Sequence, residues 1–218
     1  MKQASEVKFY PIFEEKLNVL THALGFLLSL LALPLLLYRA HTYDDVLYMA
    51  SFAIFGFSLI ALYTASSFYH NTLDPILRSR LRVADHVSIY FLIAGTYTPF
   101  TLHVLPDSLG WLIFSVAWAM ALTGTVLKLF FTGRYKVIST LMYVSMGWLI
   151  VFAINPLAEN LSVEGLNWLI AGGVAYTLGA VLYGIKKLKF NHAIFHVFVL
   201  LGSVCHFMSV YFYIRPAA

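Results

Sequence analysis

Long apolar runs alternate along the chain with short segments rich in polar or turn-forming residues. The runs fall near residues 22–38, 47–69, 86–103, 109–129, 137–155, 167–185 and 192–214. A bilayer crossing needs roughly 20 predominantly apolar residues, about 30 Å of helix. The pattern predicts an all-α membrane protein, a seven-transmembrane helix bundle forming one domain over residues 1–218. Few residues are left for any soluble part.

Composition points the same way. Hydrophobic residues make up 61% of the chain and charged residues 11%, against about a quarter charged in a soluble domain. Such a chain could not cover its own surface in water. The opening stretch MKQASEVKFYPIFEEKLN has no short apolar core followed by a small-residue cleavage site, so no signal peptide is expected. Cys205 is the single cysteine, which rules out an intrachain disulfide.

The cations set an orientation. Lys2, Lys8 and Lys16, then Arg78, Arg80 and Arg82, then Lys128, Arg134 and Lys136, then Lys186, Lys187 and Lys189 all fall in alternate segments on one side. Only Arg39 and Arg215 fall on the other. Cytoplasmic loops are enriched in Lys and Arg, which places the N-terminus inside and the C-terminus outside. The net charge of +4 is thus a topology signal that calls for no nucleic acid. It also favours anionic headgroups on the inner leaflet. In the sixth run, Ala175 and Gly179, and Ala180 and Gly184, repeat at intervals of four, the ordinary sign of close helix packing. Trp111, Trp148 and Trp168 read as interfacial anchors.

Given that topology, the polar residues inside the runs gather at one depth. The second run ends inside with Ser66 and His70, and the third begins there with Asp85 and His86. The seventh begins with His192 and His196, and the first with Glu15, Asn18, Thr21 and His22. These positions lie within about one to two turns of the inner interface. His192 and His196 are four apart, neighbours on one helical face with Cβ atoms about 5–6 Å apart. Ser66 and His70 share that spacing, and Glu15, Asn18 and His22 share a face. Asp85 and His86 point about 100° apart, so both cannot face one spot, and His206 lies about 15 Å beyond His196 and cannot bind the same ion. An isolated pair of histidines at this spacing is a weak signal, its plain alternative being two imidazoles hydrogen-bonded at the headgroup level. Ionisable groups inside spans are costly and mark function by default. With His70 and Asp85 at the same depth, the balance moves to a metal site, against a proton relay or a structural polar cluster. Zinc suits the set, because three histidines with one open position form a catalytic-type arrangement. Glu15, Asn18 and His22 are candidates to support the ligands from behind, with a helix-end role equally open for His22. His206 reads as an interior hydrogen-bonding residue.

The chain resembles the hemolysin III family of bacterial membrane proteins, part of the progestin and adipoQ receptor superfamily and related more distantly to the alkaline ceramidases. The resemblance runs through EEKLNVLTHALG, SSFYH, RVADHVSIYFLIAGTYTPF, MGWL and NHAIFHVFVLLGSVCHF, nearly the whole chain. It implies seven helices with the N-terminus inside and a zinc ion near the cytoplasmic face. The family's metal-binding histidines fall on His70, His192 and His196, its aspartate on Asp85 and its serine on Ser66. The longer soluble N-terminal region of the receptor relatives has no counterpart here.

These expectations combine into a zinc-dependent intramembrane hydrolase of a lipid amide or ester, in the inner membrane of a bacterial cell. His70, His192 and His196 hold the metal and leave one position for water, whose pKa falls toward about 7. Asp85 acts as general base, and Ser66 orients a ligand or donates to the developing oxyanion. The lipid substrate enters sideways from the inner leaflet. Two alternatives stand beside this: a non-enzymatic membrane-homeostasis or sensor protein with a structural zinc, and, ranked last, a pore-forming hemolysin. The first turns on whether Asp85 meets the metal directly or through water.

Overall fold

The computed structural model describes residues 8–131 and 136–216. Lys2, Arg134 and the side chain of Lys136, three of the cations counted above, lie outside the described residues. Among the described residues there is no strand. The helices are α1 (Ile12–His41), α2 (Val46–Asn71), α3 (Pro75–His103), α4 (Asp107–Phe131), α5 (Lys136–Gly147), α6 (Ile154–Asn160), α7 (Val163–Gly184) and α8 (Asn191–Tyr213). A 3₁₀ segment, Leu149–Ala153, joins α5 to α6. Most connections are only a few residues long, so the long helices follow one another antiparallel, whereas α5, the 3₁₀ segment and α6 continue along one stretch, Ser139–Asn160. Sequence neighbours pack side by side, and α8 returns onto α1.

Several helix starts follow from local chemistry. Asp45 caps α2 by accepting from the Leu47 and Tyr48 amides, and Ser162 caps α7 through the Gly165 amide. Asp74 accepts from the Leu77 amide, and Pro75 fills the first helical position, where its missing N–H costs nothing. Helix α3 therefore begins well before the apolar run near residue 86. Arg78, Arg80 and Arg82, read from sequence as loop cations, lie inside this helix, and Arg78 is fully buried.

Among the described residues, six stretches are long and apolar enough to cross a bilayer: α1, α2, α4, Ser139–Asn160, α7 and α8. Exposed leucines run down α1 (Leu20, Leu24, Leu27, Leu31 and Leu35), the surface expected of a helix facing lipid. Helix α3 is the exception, with its arginines and threonines. Its second half is almost wholly buried, from Tyr90 to Thr101, between α2 and α4. Thr96, Thr98 and Thr101 return their hydroxyls to carbonyls of their own helix. The threonines of α3 are thus buried within the bundle, whereas Arg80 near its start is exposed.

The run near 137–155 changes helical geometry partway along. The Tyr97 hydroxyl of α3 donates to the Gly147 carbonyl at 2.9 Å and accepts from the Ile150 amide at 2.8 Å. A side chain inserted into the ladder is one of the identifiable causes of a helix break. Pro156, which has no N–H to give, follows in α6.

Between α7 and α8, Gly172 faces the His206 ring, and a Cβ there would run into it. Gly179 packs against Phe198, whereas Gly184 meets nothing, so the small-residue spacing serves packing at its first pair and not at its end.

Candidate metal centre

The end of α2, the start of α8 and the first turns of α1 and α3 meet at the end of the bundle that carries the basic segments. His70 comes from the last turn of α2, and His192 and His196 from the first two turns of α8. One nitrogen from each lies within 4.8 Å of the others, and this is the cluster among the described residues able to hold a metal ion.

Their partners settle which nitrogens are free. His70 Nδ1 lies 2.7 Å from Glu15 Oε2. A carboxylate only accepts, so this nitrogen carries the proton. His196 Nδ1 lies 3.3 Å from the Asn18 carbonyl, likewise an acceptor. Both rings are held in the tautomer that leaves Nε2 with a bare lone pair. Those two atoms face a third, His192 Nε2, at 3.0 Å from His70 Nε2 and 3.1 Å from His196 Nε2. A single proton on His192 can serve one lone pair well, not both. A cation among the three satisfies all of them. Tetrahedral zinc with Zn–N of about 2.0–2.1 Å sets its nitrogens about 3.3–3.4 Å apart, so a slight spreading of the rings accommodates it. The donor set fits.

The surroundings hold the rings in place. His22 stacks face to face on His196, ring centres 3.6 Å apart and planes 13° apart, and meets Tyr63 edge-on at 5.1 Å. One turn further along α1, Gly25 leaves the room that the Tyr63 ring needs. Tyr10 stacks on His192 at 4.7 Å. Asn18 also approaches His70 Nδ1 through its side-chain amide at 3.4 Å. Glu15, Asn18 and His22 thus all stand directly behind the three imidazoles. His206 is elsewhere, bonded through Nδ1 to the Gly202 carbonyl at 2.7 Å and stacked on Tyr176.

Asp85 and Ser66 are both buried. The Asp85 carboxyl interacts electrostatically with His70 and Lys128, and the buried Ser66 hydroxyl has no hydrogen-bond partner among the described residues. Asp85 is not one of the three clustered ligands. His86 is not either; its carbonyl accepts from the Tyr143 hydroxyl.

Two residues escaped the sequence argument. Arg78 forms a salt bridge with Glu15 and donates to the carbonyls of Tyr69, His70 and Thr72. One guanidinium thereby closes the end of α2 and anchors the carboxylate that orients His70. Its plane also lies over Phe9 and Tyr69. Tyr10 precedes every apolar run and carries no pattern signal. For Arg78 a signal existed, three residues into a helix announced by Asp74 and Pro75, but a tally of loop charges ignores it.

Because Glu15 fixes the His70 tautomer, Glu15→Gln is expected to weaken metal affinity by about 10–100-fold, the usual effect of losing such support. Competition with a chelator of known affinity measures it, and unchanged affinity would show the carboxylate to be incidental.

Comparison with known proteins covers all these positions. A family model described as "Haemolysin-III related" matches residues 10–207. "Hemolysin-3" of Bacillus cereus is 43% identical over 205 residues, spanning 94% of both chains. "Hemolysin-3 homolog" of Bacillus subtilis (strain 168) is 43% identical over 204 residues, 94% of this chain and 96% of the relative. "Monocyte to macrophage differentiation factor" of Homo sapiens is 30% identical over 217 residues, 93% of this chain and 85% of the relative.

Proposed function

We propose that this chain, which belongs to the haemolysin-III-related family, is a zinc-dependent hydrolase of a membrane lipid amide or ester. The observation that carries the reading is the convergence of three Nε2 lone pairs, two of them freed by hydrogen bonds behind the ring. Imidazole sets suit several transition metals, and zinc is chosen because three histidines with an open position match its hydrolytic sites. When bound, zinc supplies Lewis acidity and activates water near neutral pH.

The remaining roles belong to the chain. His70, His192 and His196 hold the ion, and Glu15 and the Asn18 carbonyl keep their lone pairs aimed at it. Asp85, outside the three ligands, takes a proton from water and returns it to the leaving group. Ser66 donates a hydrogen bond to the charge that develops on the substrate carbonyl. A structural zinc needs a fourth protein ligand, which Asp85 would have to provide.

The membrane placement belongs to the same reading. Helix α3 counts as a seventh crossing, its polar face shielded by α2 and α4. The basic end faces the cytoplasm and the bacterial inner membrane is the setting, since Arg39 and Arg215 are the cations at the other end while Asp44, Asp45, Asp107, Glu159 and Glu164 sit there.

Asp85→Asn tests the reading. The variant is expected to keep its zinc while turnover of a panel of fluorescent lipid amides and esters falls by about 10²–10⁴-fold. Zinc lost together with Asp85 points to the structural clamp, and a wild-type protein inert on every lipid of the panel counts against the hydrolase.

A further inference from the structure

Between α1 and α8, at the end that carries the basic segments, runs an apolar groove of about 270 Å³ lined by Leu17, Thr21, Phe190, Ala193, Ile194 and Val197. It opens on the outside of the bundle, where Val197 is half exposed. Thr21 presents only carbon to it, because its hydroxyl donates to the Leu17 carbonyl at 2.8 Å. That same hydroxyl lies 3.5 Å from His196 Nδ1. One side chain therefore separates the groove from a metal-ligating imidazole.

The mouth of the groove is built with some strain. Phe190, which precedes α8, has φ 58° and ψ 26°, the left-handed region. For a bulky residue that conformation costs about 1–2 kcal/mol, and such outliers gather at functional sites. It sets the Phe190 ring edge-on against Phe13 of α1 at 5.7 Å. Four exposed lysines adjoin the groove-lining residues in sequence: Lys16 directly before Leu17, and Lys186, Lys187 and Lys189 within the four residues before Phe190.

We infer that the α1–α8 groove seats an acyl chain of an anionic phospholipid whose phosphate is held by Lys16, Lys186, Lys187 and Lys189. The groove faces what surrounds two membrane-crossing helices, and its wholly apolar wall matches a hydrocarbon chain. Cations at one end only match a chain with one negatively charged end, since basic residues at a bilayer surface attract anionic lipid. Depth agrees as well, because the mouth and the lysines share the level of the α8 start. The inference stands beside the proposed hydrolysis, since a lipid seats here whether or not the metal turns it over.

Native mass spectrometry of the full chain, released from vesicles of equal phosphatidylglycerol and phosphatidylcholine, tests it. The wild type is expected to retain phosphatidylglycerol in preference. Val197→Trp fills the groove from its exposed side and is expected to cut retained lipid by on the order of tenfold, the loss for roughly two methylenes left unburied. Replacing Lys186, Lys187 and Lys189 by Gln should keep a retained lipid but reduce the preference by about fivefold per lysine. Zinc content is read on the same samples: lipid lost with zinc kept is the expected pattern. If Val197→Trp also loses zinc, Leu17→Trp on the opposite wall decides. Retained lipid unchanged by both fillings overturns the inference, as do equal retention of the two phospholipids by the wild type and a changed oligomeric mass in place of a changed lipid count. Absence of zinc with the lipid pattern intact would count against the hydrolase alone.

Discussion

His196→Ala is expected to leave the purified protein without zinc, where the wild type holds about one ion per chain. His196 supplies one of three converging lone pairs, held in place by the Asn18 backbone carbonyl behind the ring. Two imidazoles remain, at His70 and His192, too few for a stable catalytic-type site. His192→Ala should give the same result. Elemental analysis after gel filtration reads both. His206→Ala is the control, since that ring bonds to Gly202 within its own helix and faces α7. Zinc should stay at the wild-type level there, and equal loss in all three variants would mean that unfolding, not ligation, is being measured.

The largest effect on stability is expected at Arg78. Its guanidinium is completely buried, pairs with Glu15 and closes three carbonyls at the end of α2. Arg78→Met leaves the partly buried Glu15 carboxylate with His70 as its remaining partner, and the about 3–5 kcal/mol that breaking a fully buried pair costs is the upper bound on the loss. Thermal unfolding in detergent should show a marked fall in Tm, with metal affinity dropping because Glu15 no longer holds His70 in place. Adding Glu15→Gln to Arg78→Met removes the stranded charge, so the double variant should be less destabilised than the sum of the two single changes. Strict additivity would show that Arg78 and Glu15 act independently.

How much of this was legible in the chain depends on whether the cause was local. The His192 and His196 pair is legible because spacing along one helix is fixed by its 3.6-residue turn. His70, Glu15, Asn18 and His22 become legible once alternate basic segments assign each apolar run a direction. The start of α3 was also written locally, in Asp74 and Pro75, yet the apolar pattern outweighed it and displaced the boundary. The role of Arg78 was not legible. A charge count treats every cation between apolar runs alike, and only the packing of α1 and the start of α3 about the end of α2 brings Glu15 to it. The break after Gly147 was hidden for the same reason, since Tyr97, which causes it, lies about fifty positions earlier on another helix. Stacking of Tyr10 on His192 and of His22 on His196 likewise depends on tertiary approach.

The central claim is that His70, His192 and His196 converge on one zinc ion. X-ray absorption at the zinc edge, on protein purified without added metal, tests it most directly. The expected spectrum shows about three nitrogen neighbours at about 2.0–2.1 Å with the outer-ring scattering of imidazole. Protein that is fully folded yet holds no metal, or zinc whose neighbours carry no imidazole signature, would contradict it.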